Sequence, residues 1–224
     1  VVVDAAAVMS ISGTVDEVKA VVDAAGIATA TNYSATISDA DAAESKLNAV
    51  LGDTTGVVTA SLAGVAAALN AALSNGSSGD ALSIKLDAGA AAAADLTGLD
   101  AKTSVVVDAA AVSEITGSAA EIKAVAAAAG ITKATNWAAT VSGSTTVSDA
   151  NAIDAVNGTG FITATIAEGD VATLKTLTGT GNAYTITVTD ATAAAADLTA
   201  IDTKTTVVVD AAAVMSISGT VDEV

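Results

Sequence analysis

VVVDAAAVMSISGTVDEV occupies Val1–Val18, and the same eighteen residues, without a substitution, occupy Val207–Val224. Chance does not produce an identity of that length. The chain therefore repeats at a spacing of 206 residues, and internal repetition on this scale is the signature of stacked or arrayed architecture. A diverged copy begins at Val105 as VVVDAAAVSEITGSAAEIKAV, which divides the period into two halves. Other phrases keep the half-period: ATNY ending at Tyr33 matches ATNW ending at Trp137, GVVTA at Gly56 matches GFITA at Gly160, and AAAADLT at Ala91 recurs at Ala193. This phasing reads as residues 1–104 forming one half-repeat, 105–206 a second, and 207–224 the start of a further identical repeat. It is the pattern of a window in a longer tandem array.

Each half subdivides again. Runs fit for strands recur at Val1–Val3, Ser34–Ile37, Val57–Leu62, Leu82–Leu86, Val105–Val107, Ala138–Val141, Phe161–Ile166 and Tyr184–Val188, and Val207–Val209 restarts the cycle. Several alternate with period two, as a half-buried strand does. Tyr184, Ile186 and Val188 fall on one face and Thr185, Thr187 and Thr189 on the other; Ser83 and Lys85 oppose Leu82, Ile84 and Leu86.

Helix signals fill the intervals. Thr14-Val-Asp-Glu17 and Ser118-Ala-Ala-Glu121 are capping boxes, in which the hydroxyl and the Glu carboxylate each accept a backbone N–H. They open apolar runs that stop at Gly26 and Gly130, residues suited to helix ends. Further helices are predicted over Asp41–Leu51, Ala63–Leu73, Ala88–Leu99, Asn151–Val156, Gly169–Leu177 and Ala191–Ile201, with Asp39, Ser61, Asp87, Asp149 and Asp190 where such helices start. Alanine suits both helix propensity and close approach to a sheet. The coils that begin VVVDAAAV carry extra residues before their capping boxes, read as a helical turn or a second short strand.

Alternating strands and helices imply parallel strands joined by crossover helices. The expected fold is α/β: a solenoid of stacked strand–helix coils with one continuous parallel sheet, about eight coils per 206-residue period. At about 4.8 Å per strand this gives roughly 38 Å of rod per period.

Composition narrows function mainly by exclusion. There is no His, Cys or Pro, all eight cationic residues are Lys, and 25 acids set a net charge of -17. Imidazole bases, thiolate nucleophiles and His/Cys zinc sites are absent from the repertoire. An acidic chain lacks the positive footprint that nucleic acid requires. No apolar run reaches the roughly 20 residues that span a bilayer. The expectation is a non-enzyme with no nucleic-acid partner and no membrane insertion.

The phrases VVVDAAAV, GFITATI, TGTGNAYTITVTDA and AAAADLTAIDTKTT together resemble the Ala/Thr/Asp-rich tandem repeats of giant surface or secreted proteins of cyanobacteria and other aquatic bacteria. The resemblance spans the whole chain, implies extracellular structural or adhesive use, and carries over no catalytic residue.

Five groups of residues stand out as sites. Asp39, Asp41 and Glu44 recur in the second half as Asp149, Asn151 and Asp154 with the same internal spacing, and clustered oxygens of this kind could hold Ca²⁺. The more economical reading makes them helix caps and first-turn acids, since no EF-hand or GGxGxD pattern accompanies them. Asp4, Asp87, Asp108, Asp190 and Asp210 follow strands and could stack as a cation column, or each could cap its own turn. Thr36, Thr140, Thr163, Thr165, Thr185 and Thr187 could form a water-ordering face, though Thr is an ordinary exposed strand residue. GTG at Gly158–Gly160 and GTGN at Gly179–Asn182 read as turns rather than phosphate loops. Tyr33 and Trp137 occupy equivalent positions, as core anchors or as a sugar-stacking platform. The sequence thus points to a structural module of an extracellular rod or filament, with neighbouring repeats or identical chains as partners, no cofactor, and divalent cations as candidate bridges. A calcium-dependent adhesin binding glycan or another cell surface is the alternative.

Overall fold

The computed structural model describes residues 2–220, in a regular succession of strand and helix. Val1, at the head of the first strand candidate, and residues 221–224 of the final repeat lie outside the described residues. In chain order the first half contains β1 (Val3–Ala5), β2 (Ser10–Gly13), α1 (Val15–Val22), β3 (Ile27–Thr29), β4 (Ser34–Ile37), α2 (Glu44–Asp53), β5 (Val58–Gly64), α3 (Ala66–Ala72), β6 (Ala81–Leu86), β7 (Gly89–Ala92) and α4 (Ala93–Asp100). The second half continues with β8 (Val107–Ala109), β9 (Val112–Gly117), α5 (Ala119–Ala127), β10 (Ile131–Lys133), β11 (Ala138–Thr145), α6 (Val147–Asp154), β12 (Ile162–Ile166), α7 (Val171–Leu174), β13 (Ala183–Thr185), β14 (Thr192–Ala194), α8 (Ala195–Asp202) and β15 (Ser216–Ser218).

The chain divides into two compact units. One holds the residues up to 112 together with Ala128–Ala134; the other holds Ser113–Ala127 together with the residues from 135 onward. In the first, β10-β8-β6-β5-β4-β2 form a six-stranded sheet and β1-β3 a separate pair. In the second, β13-β12-β11-β9 run side by side and β14-β15 form a separate pair. All of these pairings are parallel. Val3 faces Ile27, twenty-four residues on, and Thr163 faces Ala183, twenty on. Each strand thus pairs with its counterpart one coil later.

The strands do not form the single continuous sheet expected from the sequence; they are distributed among several. The reason is local. Asp4 Oδ1 accepts the N–H of Ala6 at 3.1 Å, and the N–H of Val8 donates to the carbonyl of Ala5 at 2.8 Å. This side-chain-supported turn ends β1 and re-aims the chain before β2. Asp108 repeats it on Ala110 at 3.1 Å, between β8 and β9. The extra residues of the VVVDAAAV coils are therefore a turn plus a second short strand. Other coils carry two strands as well, and the two members pair separately.

Alternation decides the interior. Leu82, Ile84 and Leu86 are buried while Ser83 and Lys85 are exposed; Tyr184, Ile186 and Val188 are buried while Thr185, Thr187 and Thr189 are exposed. Helices close the core from the other side with Val15 and Val18, Leu47 and Val50, Ile122 and Val125, and Ala150 and Ile153. Helix boundaries differ from the sequence reading where alanine is ambiguous. The first residues of the expected Ala88–Leu99 and Ala191–Ile201 helices are the strands β7 and β14, because a small unbranched side chain fits either backbone and pairing decides. Helix α6 starts earlier than expected, since the Thr146 side chain accepts the Asp149 N–H and so supplies the cap. Val207–Val209 is not a strand, although parallel bridges flank it at Asn182↔Thr205 and Thr187↔Asp210.

Candidate functional site

The residues that hold one coil to the next are polar side chains placed just before the strands. Asp80 is buried; its Oδ1 accepts the N–H of Val58 at 3.0 Å, and its Oδ2 accepts the backbone and hydroxyl of Ser77. The Thr103 hydroxyl accepts from the N–H of Leu82 at 2.9 Å and donates to its carbonyl at 2.8 Å. Asn182 Oδ1 accepts from Ile162 at 2.7 Å, and Thr205 makes the same two bonds to Tyr184. Thr54 donates to the carbonyl of Tyr33 at 2.5 Å. Apart from the Asp80–Ser77 bonds, which lie within one turn, each of these bonds bridges successive coils and satisfies a backbone group that burial would otherwise orphan. Sequence reasoning missed this polar row. Of these residues only Asn182 entered the sequence reading, as the end of the GTGN turn.

Acids also work between coils: Asp39 and Asp190, chosen from the sequence, and Glu168, which the sequence reading did not single out. Asp39 Oδ2 accepts the N–H of Val15, the first residue of α1, at 2.6 Å; Glu168 serves Val147 of α6 at 3.0 Å; Asp190 serves Val171 of α7 at 2.7 Å. None of Asp39, Ser61, Asp87, Asp149 and Asp190 is the N-cap of a helix in its own coil. Asp39 and Asp190 instead complete the helix of the preceding coil. Caps within a coil come from Thr14 with Glu17, from Thr146, and from Asp170, which accepts the N–H of Thr173 at 2.9 Å. Those bonds hold Glu17 and Asp170 below the usual carboxylate range, and Ser118 does the same for Glu121.

Among the six candidate calcium ligands, Asn151 and Asp154 meet at the Thr178 hydroxyl. Besides Asp39 on Val15, Asp41 Oδ1 accepts the N–H of Ala63 at 3.0 Å, and Glu44 opens α2. Asp149 pairs with Lys123 on the neighbouring helix, whose ammonium lowers its pKa. Asn151 accepts the N–H of Thr178 at 2.8 Å and donates to the carbonyl of Thr176 at 2.9 Å. Asp154 accepts from Asn182 at 3.0 Å and from the Thr178 hydroxyl at 3.3 Å. Asn151 and Asp154 thus fasten the loop before β13, whereas Asp39 and Asp41 reach backbone on either side of their own coil. Among the described residues no group of three or more acidic side chains gathers as a metal site.

The two glycine loops do meet. Asp154, Gly158, Thr159, Gly160, Gly179 and Thr180 line a polar cavity of about 300 Å³. Its one carboxylate already holds Asn182 and Thr178, so it serves as a hydrogen-bond hub. Tyr184 lies fully buried, and burial together with the Asp154 charge pushes its phenol upward. Tyr33 and Trp137 are buried too, which corrects the sugar-stacking reading in favour of core anchors. The equivalence of the halves is physical here. A Cβ on Gly56 would overlap the Tyr33 carbonyl, and one on Gly160 the Trp137 carbonyl, so both positions need the smallest residue.

The Thr residues form short rows, Ser12–Thr36–Thr59 exposed in one unit and Thr116–Thr140–Thr163 in the other, where Thr116 and Thr140 are half-buried and Thr140 donates to Glu114. Of the post-strand aspartates, Asp4, Asp108 and Asp210 each accept the N–H two residues on and cap their own turns. No helix among the described residues is long and apolar enough to cross a membrane. No family model, curated protein or solved structure matches this chain.

Proposed function

We propose that this chain is a structural repeat module whose coils stack as a solenoid, forming a rod or filament at a bacterial cell surface and catalysing no reaction. The observation that carries the reading is the register: strands pair in parallel with strands 20 to 24 residues on, one coil to the next. The polar row of buried Asp80, Thr103 and Asn182 and half-buried Thr205 supports it, since each of these side chains bonds backbone of a neighbouring coil. Ion pairs between successive helices support it as well: Lys46 with Asp16, Lys123 with Asp149, and Lys175 with Asp197. The extracellular setting rests on the resemblance to long Ala/Thr/Asp-rich surface repeats and on the Cys-free, acidic composition.

Chains carrying one, two and three of the 206-residue periods provide the test. Small-angle scattering should return a maximum dimension that grows linearly, by roughly 38 Å per added period at the parallel-strand spacing. Growth with the cube root of mass would refute the rod.

A further inference from the structure

We propose that the second half of the chain binds one neutral sugar residue, the uncharged end of a glycan, in the cavity between its two glycine loops. This site lies outside the structural role described above and needs no stacking of coils. Asp154, Gly158, Thr159, Gly160, Gly179 and Thr180 line the cavity, whose volume of about 300 Å³ falls at the small end of ligand sites. That size suits one sugar ring rather than a run of them. The loop before β13 is shaped to leave the space. In the first half Asp80 lies twenty-two residues beyond the N–H it holds on Val58, whereas in the second Asn182 lies only twenty beyond Ile162. Gly179 in the shorter loop and Gly158 across the cavity both have φ +70°, a backbone that side chains disfavour. A Cβ on Gly179 would overlap the Asp154 carboxylate. Glycine thus brings main chain close to the carboxylate and keeps side chains out of the cavity.

The chemistry of the wall selects the ligand. Asn182, itself held by the Ile162 N–H, donates to Asp154 Oδ1 at 3.0 Å, and the Thr178 hydroxyl donates to Oδ2 at 3.3 Å. These bonds fix the carboxylate in place, and each oxygen keeps a second acceptor site, enough for two adjacent sugar hydroxyls. Thr159 and Thr180 are exposed, so their hydroxyls are open to a ligand as well. A carboxylate in a chain of net charge -17 turns away phosphate and other anions. With no second acid in the wall, a divalent cation finds too little charge. A neutral polyhydroxyl compound meets neither objection.

An exposed ring stands beside the cavity. Of the four aromatic residues, Tyr33, Trp137 and Tyr184 are no more than 2% exposed, whereas Phe161 is 55% exposed. Phe161 follows Gly160 directly, and alternation along β12 sets it on the outer face with Thr163 while Ile162 is buried. Counting back two residues from the Thr163↔Ala183 pair aligns it with Gly181, which has no side chain to cover the ring. One face of a pyranose is a patch of C–H groups that packs on an aromatic ring, and its rim is hydroxyl, so Phe161 and Asp154 together read both. The first half has Val57 in the place of Phe161 and lacks the ring.

Amide proton–nitrogen NMR of the 224-residue chain tests this, with the methyl glycosides of glucose, galactose, mannose and N-acetylglucosamine as probes at up to tens of millimolar. At least one should shift the amides of Gly158, Gly160 and Gly179 saturably, while those of Gly13 and Gly64 in the first half stay in place. Phe161→Ala should weaken that binding about tenfold. Because the ring is exposed, the variant should keep the melting midpoint of the wild type. Phe161→Trp, which retains a stacking face, should bind at least as tightly as the wild type. Asp154→Asn should weaken binding as well. Silence of all four glycosides at these amides, or unchanged affinity in Phe161→Ala, would overturn the proposal. Inorganic phosphate should leave the same amides unmoved; a saturable shift with phosphate would mark an anion site and overturn it too. None of these outcomes bears on how the scattering dimension grows with repeat number, so the rod stands or falls separately.

Discussion

Asn182 shows what a single side chain contributes here. Its carbonyl oxygen accepts the Ile162 N–H at 2.7 Å in a fully buried position, and its amide reaches Asp154. Truncation to alanine leaves a buried N–H without an acceptor, a loss of about 1–3 kcal/mol. Urea unfolding should place Asn182→Ala in that range, with Thr163→Ala, on the exposed face, within about 0.5 kcal/mol of wild type. The glycine at 160 makes a steric counterpart. A methyl group there meets the Trp137 carbonyl, so Gly160→Ala should cost about 1–3 kcal/mol as an overpacking defect, and Gly56→Ala the same against Tyr33. A tolerated alanine at both sites would mean that the coils are more loosely apposed than described. The halves had already announced this pair, as GVVTA and GFITA, but not its cause, since steric exclusion by a carbonyl one coil away is a three-dimensional fact.

Helices in this protein are completed by acids from two places, their own coil and the following one. Glu17, Glu121, Asp170 and Asp149 all have lowered folded pKa values, from hydrogen bonds at Thr14, Ser118 and Thr173 and from Lys123. A depressed carboxylate stabilises fully above its unfolded value and loses that contribution as pH falls through the folded one. In enough salt to suppress the repulsion of seventeen excess negative charges, the thermal midpoint should hold near neutrality and fall below the ordinary Glu value of 4.5. The double variant E17Q/E121Q should have a shallower acid limb; an unchanged one would show that the capping boxes contribute nothing. Between coils, Asp39→Ala should cost about 1 kcal/mol and speed hydrogen exchange at the Val15 amide, with Asp39→Asn intermediate. Elements of this kind were legible in part. Capping boxes are local, so Thr14–Glu17 could be read directly. Asp39 looked like a cap for the helix following it, and only the stacking of coils turns it back to the helix before. The AAAA runs at 91 and 193 carried no signal to separate strand from helix, and the Asx turn at Asp4 divided what periodicity joined into one sheet.

At the scale of the whole chain the dominant quantity is charge. With eight lysines against 25 acids, and three of those lysines committed between helices, added NaCl should raise the melting midpoint by screening. Calcium and magnesium at matched concentration should raise it equally, because Asp39, Asp41 and Asp149 already spend their oxygens on backbone N–H groups and on Lys123. A midpoint specific to calcium would call for ligands other than these.

The bonds from Asp39, Glu168 and Asp190 back to Val15, Val147 and Val171 also impose an order in time. During synthesis each of these amides leaves the ribosome some twenty residues ahead of its acceptor. On a nascent chain α1, α6 and α7 therefore wait, each without this acceptor, until the following strand has emerged. A translation product stalled just past any of these three would carry that helix with its first amide unclaimed by the later acid.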